Sequence, residues 1–226
     1  MKKLWILVIV IFLFSCISPI EESDPKYKEL KTAYHEYVEN DVYSVEKLHK
    51  LINEATLYNI SATVKITSNG RMFSGVIIDN ENNDYFVLTI SYEKDNEFII
   101  TDYKNIKHIG SVEYTNINSG VTIIKFSSTT KYFITKINDS IIFPNELVVT
   151  SGYINFNLNN LKFGLITNID EDEMTLSNLE NYFSPGAPVF NNNLKLIGIQ
   201  KELQNGEIII YKLDSTYKDF WRDLND

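Results

Sequence analysis

From residue 60 to residue 213, short apolar runs alternate with clusters of Asn, Gly, Asp and Ser. Runs of this length that are rich in Ile, Val, Phe and Tyr and bounded by turn residues are typical of β-strands. So many short strands in roughly 150 residues favour two small closed barrels, because closure removes the exposed edges of an open sheet. The pattern predicts strands at 60–67, 72–79, 85–90, 97–103, 106–113, 121–126, 132–137, 147–151, 161–168, 174–178, 188–190, 194–200 and 207–213.

The spacing of apolar residues is helical on both sides of this β region. Between residues 26 and 57 the apolar residues form two helical stripes, which predict two helices or one broken helix. Residues 214–226 place Tyr217, Phe220 and Trp221 at helical spacing and predict a C-terminal helix. The expected fold class is therefore all-β, with two small antiparallel β-barrels, an N-terminal helical segment and a C-terminal helix.

The composition agrees with this pattern. Hydrophobic residues make up 44% of the 226 residues, which is enough to bury a substantial core in one or two domains. The 14 Tyr and 13 Phe residues favour half-buried strands over long helices. Since the chain has one cysteine, the fold must be stable without an internal disulfide.

The N-terminal residues carry an export pattern. Lys2 and Lys3 are followed by an apolar run at 4–14 and then by Ser15 and Cys16. A run of about eleven apolar residues is too short to cross a bilayer core roughly 30 Å thick as a helix. The order resembles a bacterial lipoprotein signal, which implies cleavage before Cys16 and diacylation of the new N-terminal cysteine. The alternative is that Cys16 is a free or buried thiol.

These patterns divide the chain into six segments. The segment that follows the signal is short, polar and acidic, which predicts a tether between the lipid and the folded body. The segments are a signal peptide at 1–15, a tether at 16–25, a helical segment at 26–57, a first barrel at 58–130, a second barrel at 131–213 and a C-terminal helix at 214–226.

The chain is acidic, with a formal net charge of −9 at pH 7. Removal of the signal would remove Lys2, Lys3 and no acidic residue, so the charge would become −11. A charge of this sign disfavours nucleic acid as a partner. The sequence also lacks a phosphate-binding Gly loop, a CxxC pair and clustered His ligands. We therefore expect no cofactor and no metal.

Five stretches of the β region share an order and spacing with known landmarks. The stretches are FSGVI at 73–77, YFVLT at 85–89, GVTIIK at 120–125, LVVTSGY at 147–153, and GAPVFN at 186–191 together with IGI at 197–199. They resemble the trypsin-like serine protease family, and the resemblance covers roughly residues 58–223. It implies two barrels with a cleft between them.

The resemblance also implies where the catalytic groups of the family would fall. The histidine position is Tyr92, whose phenol has an ordinary pKa near 10 and is a poor base at neutral pH. The aspartate position is Gly120, which has no side chain. The nucleophile position is Pro185, which lacks both a hydroxyl and the backbone N–H of the oxyanion hole. The second oxyanion donor falls on Phe183, and the chain is expected to be a pseudoprotease.

The function expected from these features is binding at a bacterial cell envelope, on the outer surface or on the periplasmic face. The partners would be the membrane, through the lipid on Cys16, and a protein or an extended peptide. A groove between the barrels would be lined by Tyr92, Phe183 and Ser184.

Two alternatives stay open. A shift of one residue would make Ser184 the nucleophile of an active serine hydrolase, which would need a histidine as its base. His108 is the histidine of the predicted barrels, and it does not follow the strand at 85–90. The other alternative is an envelope assembly lipoprotein that binds through its helical segment at 26–57.

Overall fold

The structure, a computed structural model, describes residues 45–91, 97–154, 157–158, 161–177, 183–204 and 207–213. These residues form one α-helix, α1, and fourteen β-strands. The elements are α1 (Val45–Ala62), β1 (Thr63–Ser68), β2 (Arg71–Glu81), β3 (Asp84–Ile90), β4 (Phe98–Thr101), β5 (Lys107–Thr115), β6 (Val121–Ser127), β7 (Leu147–Thr150), β8 (Tyr153–Ile154), β9 (Asn157–Leu158), β10 (Lys162–Ile169), β11 (Glu173–Ser177), β12 (Pro188–Phe190), β13 (Leu196–Gln204) and β14 (Glu207–Lys212).

Twelve of the strands form two closed antiparallel barrels of six strands each. The strand order of the first barrel is β1-β2-β3-β6-β5-β4, and pairing of β1 with β4 closes it. The order of the second barrel is β10-β11-β14-β13-β12-β7, and β7 closes it by pairing with both β10 and β12. The prediction of an all-β fold with two small antiparallel barrels is confirmed.

Each barrel has an interior core of aliphatic and aromatic side chains. Because successive residues of a strand face opposite sides, alternate positions enter the barrel. Val64, Ile66 and Phe98 are fully buried in the first barrel. Ile166 and Ile210 occupy the same kind of position in the second barrel.

Strand β3 is buried on both of its faces. Val87 packs inside the first barrel, whereas Leu88 and Ile90 belong to a cluster that also contains residues of the second barrel. A strand covered on both faces has a continuous apolar sequence, which explains the uninterrupted run at 85–90. We call this shared cluster the junction core; its buried members are Ala62, Val76, Ile78, Phe86, Leu88, Ile90, Val121, Ile123, Phe190, Leu196, Ile199 and Leu213.

Helix α1 packs against the outer surface of the second barrel. Leu51 and Ala55, which lie one turn apart, are buried against Val149 of β7. The helix continues to Ala62, so the predicted strand at 60–67 begins three residues late, at Thr63. The reason is tertiary, because Ala62 is fully buried in the junction core.

The linker between the barrels, 128–146, corrects a second prediction. Residues 132–137 were expected to form a strand, but they contain one isolated bridge, from Ile137 to Leu196. The Tyr132 ring packs on the first barrel, and the Thr135 N–H donates to the carbonyl oxygen of Ile77 at 3.0 Å. The apolar residues of this run are therefore used to attach an irregular linker to both barrels.

Several expectations fall outside the described residues. They concern Cys16, the helical pattern before residue 45 and the C-terminal helix at 214–226. Where the chain is described, none of its helices has the length and apolar character needed to cross a bilayer.

The junction core should be a main source of stability. The Phe190 side chain is 1% exposed, so Phe190→Ala should lower the free energy of unfolding by about 3–5 kcal/mol through lost burial and a cavity. The matched control is Phe143→Ala, since the Phe143 side chain is 57% exposed and its loss should change stability by less than about 0.5 kcal/mol. Urea unfolding of the full chain measures both, and equal losses would contradict a shared core.

Candidate functional site

The segments that resemble triad-bearing segments meet where the two barrels join. The Ser91 N–H donates to the carbonyl oxygen of Gly120 at 2.7 Å, which places the end of β3 beside the turn before β6. The Ser74 N–H donates to the carbonyl oxygen of Pro185 at 2.7 Å, which places the turn before β12 against β2. Tyr92 lies outside the described residues. The described parts of the three segments are thus close together.

Gly120, at the aspartate position, is a turn residue. Its φ of +73° is in the left-handed region, where glycine is favoured. The Gly120 N–H donates to the carbonyl oxygen of Asn116 at 2.8 Å, and the Asn116 Oδ1 accepts the N–H of Asn118 at 3.0 Å. The position therefore supplies a tight turn into β6 and no group that could orient a base.

Residues 184–187, around the nucleophile position, form a β-turn. The Ala187 N–H donates to the carbonyl oxygen of Ser184 at 3.3 Å, and Gly186 has a φ of +86°. Pro185 at the second position and a glycine with positive φ at the third position are the signature of a type II turn. The sequence that resembles a nucleophile turn has the local chemistry of a common reverse turn.

This turn packs directly against the first barrel. A Cβ atom at Gly186 would overlap the carbonyl oxygen of Ser74 and the hydroxyl of Thr89. The Thr89 Oγ1 donates to the same Ser74 oxygen at 2.6 Å, so these groups are held in place. The contact leaves no room for a side chain between the turn and β2.

The Ser184 hydroxyl belongs to a closed ring of hydrogen bonds. The Tyr153 N–H donates to Ser74 Oγ at 3.0 Å, and the Ser184 hydroxyl donates to the Tyr153 carbonyl oxygen at 2.9 Å. The two serine hydroxyls are 2.8 Å apart. Because the Ser184 proton is used on Tyr153, Ser74 must donate to Ser184. The ring binds β2, β8 and the turn together, and it contains no base that could activate Ser184.

Phe183 is a core residue, which corrects the expectation that its side chain lines an open groove. Its side chain is 1% exposed and packs closely over Gly152. The side-chain amide of buried Gln200 donates to the Phe183 carbonyl oxygen at 2.7 Å and accepts the Phe183 N–H at 3.3 Å. This N–H is therefore engaged, and Pro185 has none. Neither position offers a free oxyanion donor.

Two titratable groups near the turn have pKa values that burial shifts. Burial raises the pKa of the Tyr153 phenol to about 12, and the charge of Asp102 acts in the same direction. The Nζ of Lys162 lies 5.0 Å from the centroid of the Phe183 ring, and burial lowers the pKa of this amine. Burial favours the neutral form of this amine, but the described hydrogen bonds of the Ser184 hydroxyl go to Ser74 and to the Tyr153 carbonyl oxygen, not to Lys162.

His108 has partners of its own within the first barrel. The Tyr132 hydroxyl donates to Asp102 Oδ2 at 2.8 Å and lies 3.0 Å from His108 Nε2. Since the single phenol proton is used on Asp102, neutral His108 must carry its hydrogen on Nε2 and donate it to Tyr132. His108 makes no described hydrogen bond to Ser184. The part of the chain that the structure describes contains no group of three His, Cys, Asp or Glu side chains that could hold a metal ion.

Sequence reasoning missed the residues that close the site. Ser74 belongs to the FSGVI stretch, which gives no sign of its contacts with Ser184 and Tyr153. Gln200 directly follows the IGI stretch, and a polar residue there in an apolar strand was an unused signal. The Ser74 and Ser184 hydroxyls are 110 residues apart in the chain, so no local pattern could have joined them.

Comparison with known proteins adds no relative. Neither the protein-family models nor the curated proteins include a sequence match to this chain. The two six-stranded antiparallel barrels are consistent with a trypsin-like double-barrel fold.

The close contact at Gly186 should make this glycine indispensable. Gly186→Ala should destabilise the chain by more than about 4 kcal/mol, because it combines left-handed strain with a backbone overlap. Gly70→Ala is the matched control. Gly70 has a similar φ of +75° but no atom near its Cβ position, so only strain of roughly 1–2 kcal/mol should remain. Thermal unfolding compares the two; similar losses would show that the turn is not held against β2.

The amide of Gln200 should be required as both donor and acceptor. In Gln200→Glu, an ionised carboxylate would face the Phe183 carbonyl oxygen in place of the amide donor. Because two acceptors then face each other, the protein should lose about 3 kcal/mol of stability at pH 7. Burial and this repulsion would raise the folded-state pKa of the new acid above its unfolded value. Stability relative to wild type should therefore be regained below about pH 4.3 and lost as pH rises through the folded-state pKa. A pH-independent difference in urea unfolding would contradict the pairing.

Proposed function

We propose that this protein is a binding protein built on a catalytically inactive trypsin-like domain. The observation that carries the proposal is the closed turn at the barrel junction. The segments that would bring a triad together converge there, yet they present Gly120 and Pro185, and the Ser74–Ser184–Tyr153 ring occupies the remaining hydroxyls.

Hydrolysis at this site would lack most of the rate enhancement of a complete triad. Removal of one triad member costs roughly 10⁴-fold or more in rate, and loss of one oxyanion donor costs about a further 10²–10³-fold. Here all three triad positions, Tyr92, Gly120 and Pro185, lack the required group, and Pro185 also lacks the backbone N–H donor. Any remaining hydrolysis would be close to the uncatalysed rate.

The second barrel provides a strand that a ligand could extend. Strand β12 pairs with β13 between Leu196 and Ile199, and β13 then continues to Gln204. Among the described strands, the segment Glu202 to Gln204 pairs with β14 alone. We call this segment the β13 overhang. Such an edge favours an extended peptide, because the peptide backbone can add to the sheet while alternate side chains determine specificity.

The proposed location is a bacterial cell envelope, on the outer surface or the periplasmic face. Its support is the export pattern that ends at Cys16, the single cysteine of the chain. Diacylation of Cys16 would hold the acidic protein at the membrane without any electrostatic attraction of the whole chain. Ligand binding at the β13 overhang would then take place close to a membrane.

The function can be tested with the intact, lipidated protein and a display library of extended peptides. We expect retained peptides, and we expect them to protect the amides of the β13 overhang from hydrogen exchange. Failure to retain any extended peptide would contradict the proposal, as would protection confined to the helical segment at 26–57.

A serine-directed fluorophosphonate provides the catalytic control. The intact protein should remain unlabelled, because no base activates Ser184. Labelling that disappears in Ser184→Ala would overturn the assignment and would identify an active serine hydrolase instead. Ser184→Ala also removes one hydroxyl of the ring, so thermal unfolding of this variant checks that a loss of label is not a loss of folded protein.

A further inference from the structure

The turn between β4 and β5 is fixed by a buried carboxylate. The Asp102 side chain is about 1% exposed, and its Oδ1 accepts the backbone N–H groups of Lys104 and Ile106, both at 2.8 Å. Its Oδ2 accepts the hydroxyl proton of Tyr132 at 2.8 Å, and His108 Nε2 lies 3.7 Å away. The turn therefore has a defined shape, held from inside the barrel.

The outward side of the same hairpin is apolar. Ile99 and Ile109 are register partners on β4 and β5, and their side chains are 38% and 72% exposed. Ile106 and Tyr103 in the turn are 44% and 37% exposed. We call the turn, these four side chains and Lys107, the first residue of β5, the hairpin tip. Because exposed apolar patches often mark interaction sites, four such side chains on one hairpin indicate an interaction surface.

The hairpin tip is also cationic, although the chain as a whole carries a charge of −9. Lys104 and Lys107 are exposed, and neither forms an ion pair with the described residues. Lys104 Nζ lies over the Tyr103 ring, 5.4 Å from its centroid. The carboxylate of the turn, Asp102, is buried. By contrast, Lys125 and Lys195 are paired with acidic side chains.

We infer that the hairpin tip is a second membrane contact of the lipid-anchored protein. Lys104 and Lys107 bind anionic headgroups, and Ile106 and Ile109 enter the interface below them. Tyr103 has the amphipathic ring that suits this depth. The inference rests on the proposed lipid at Cys16. An anionic surface repels the acidic remainder of the chain and attracts the tip, so the contact orients the barrels.

The size of the tip favours a membrane over a protein partner. The hairpin tip exposes four large apolar side chains, whereas a stable protein interface takes roughly 800 Å² and about 20–30 residues from each partner. A small surface is sufficient next to a membrane, because the lipid anchor already holds the protein at a high effective concentration.

The test uses the full-length lipidated protein in vesicles, with an environment-sensitive fluorophore on a cysteine introduced by Ile109→Cys. The matched control carries the same fluorophore through Ile117→Cys, since Ile117 is 63% exposed in the turn between β5 and β6. We expect a blue shift at position 109 on vesicles of phosphatidylcholine with phosphatidylglycerol, a smaller one on phosphatidylcholine alone, and none at position 117.

Charge variants identify the groups responsible. Each lysine contributes roughly fivefold to affinity for an anionic surface, so Lys104→Gln with Lys107→Gln should reduce the blue shift on anionic vesicles to the smaller one seen on phosphatidylcholine alone. Lys131→Gln with Lys136→Gln removes the same charge from the linker between the barrels and should leave the shift unchanged. Thermal unfolding checks that each labelled variant is folded, and the exposure of all these side chains makes unfolding an unexpected result.

The outcomes separate the two proposals. Mass analysis of the N-terminal peptide shows whether Cys16 carries acyl chains; if it does not, the proposed location fails and this inference fails with it. If the protein is lipidated and the fluorophore at 109 stays in water, or if both lysine pairs have the same effect, the inference alone is overturned. Shielding at 109 on intact cells but not on vesicles would overturn it in favour of a protein partner.

Discussion

The close packing of the two barrels across β3 and the 184–187 turn is the constraint on which the rest of the structure depends. Strand β3 contributes Val87 to the core of the first barrel and Leu88 to the junction core, so neither barrel can move from β3 without exposing apolar surface. Gly186 lies against Ser74 and Thr89 in the same region. Hydrophobic burial brings the barrels together, and backbone contact determines how closely the turn approaches β2.

This close packing explains why the polar groups of the site are paired with one another. Polar groups that are buried at such a junction must be paired, since an unpaired one costs about 1–3 kcal/mol. The Ser74 and Ser184 hydroxyls and the Tyr153 backbone pair in a ring, and the Gln200 amide pairs with the Phe183 backbone. The Ser184 hydroxyl and the Phe183 N–H, which an acyl-transfer site would need free, are both used in these hydrogen bonds. Stability and catalysis therefore compete for the same atoms.

Buried polarity has a different role at the hairpin tip. There, Asp102 is the fixed acceptor. The Tyr132 hydroxyl donates to it, and His108 in turn is hydrogen-bonded to Tyr132. Burial and the nearby Asp102 charge raise the pKa of the Tyr132 phenol, so this group remains a proton donor to the carboxylate. The result is a rigid turn whose exposed side chains are apolar or cationic. Hydrogen bonds inside the barrel thus hold the turn that exposes these side chains, and no local pattern in the sequence indicates those bonds.

The sequence by itself determined the fold class, because closed barrels with a shared core require apolar runs separated by turn residues. The run at 85–90 is continuous since β3 is covered on both faces. The prediction placed β12 at its observed bounds, but β13 begins two residues later than predicted and ends four residues later, at Gln204. The lack of a carboxylate at Gly120, and of a hydroxyl and a backbone N–H at Pro185, follows from residue type alone. Tertiary structure decided the rest: the extension of α1 to Ala62, the attachment of the 132–137 run as a linker, and the burial of Phe183. Local periodicity describes which side of an element is apolar, but not which distant surface covers it, and these outcomes depend on partners far along the chain.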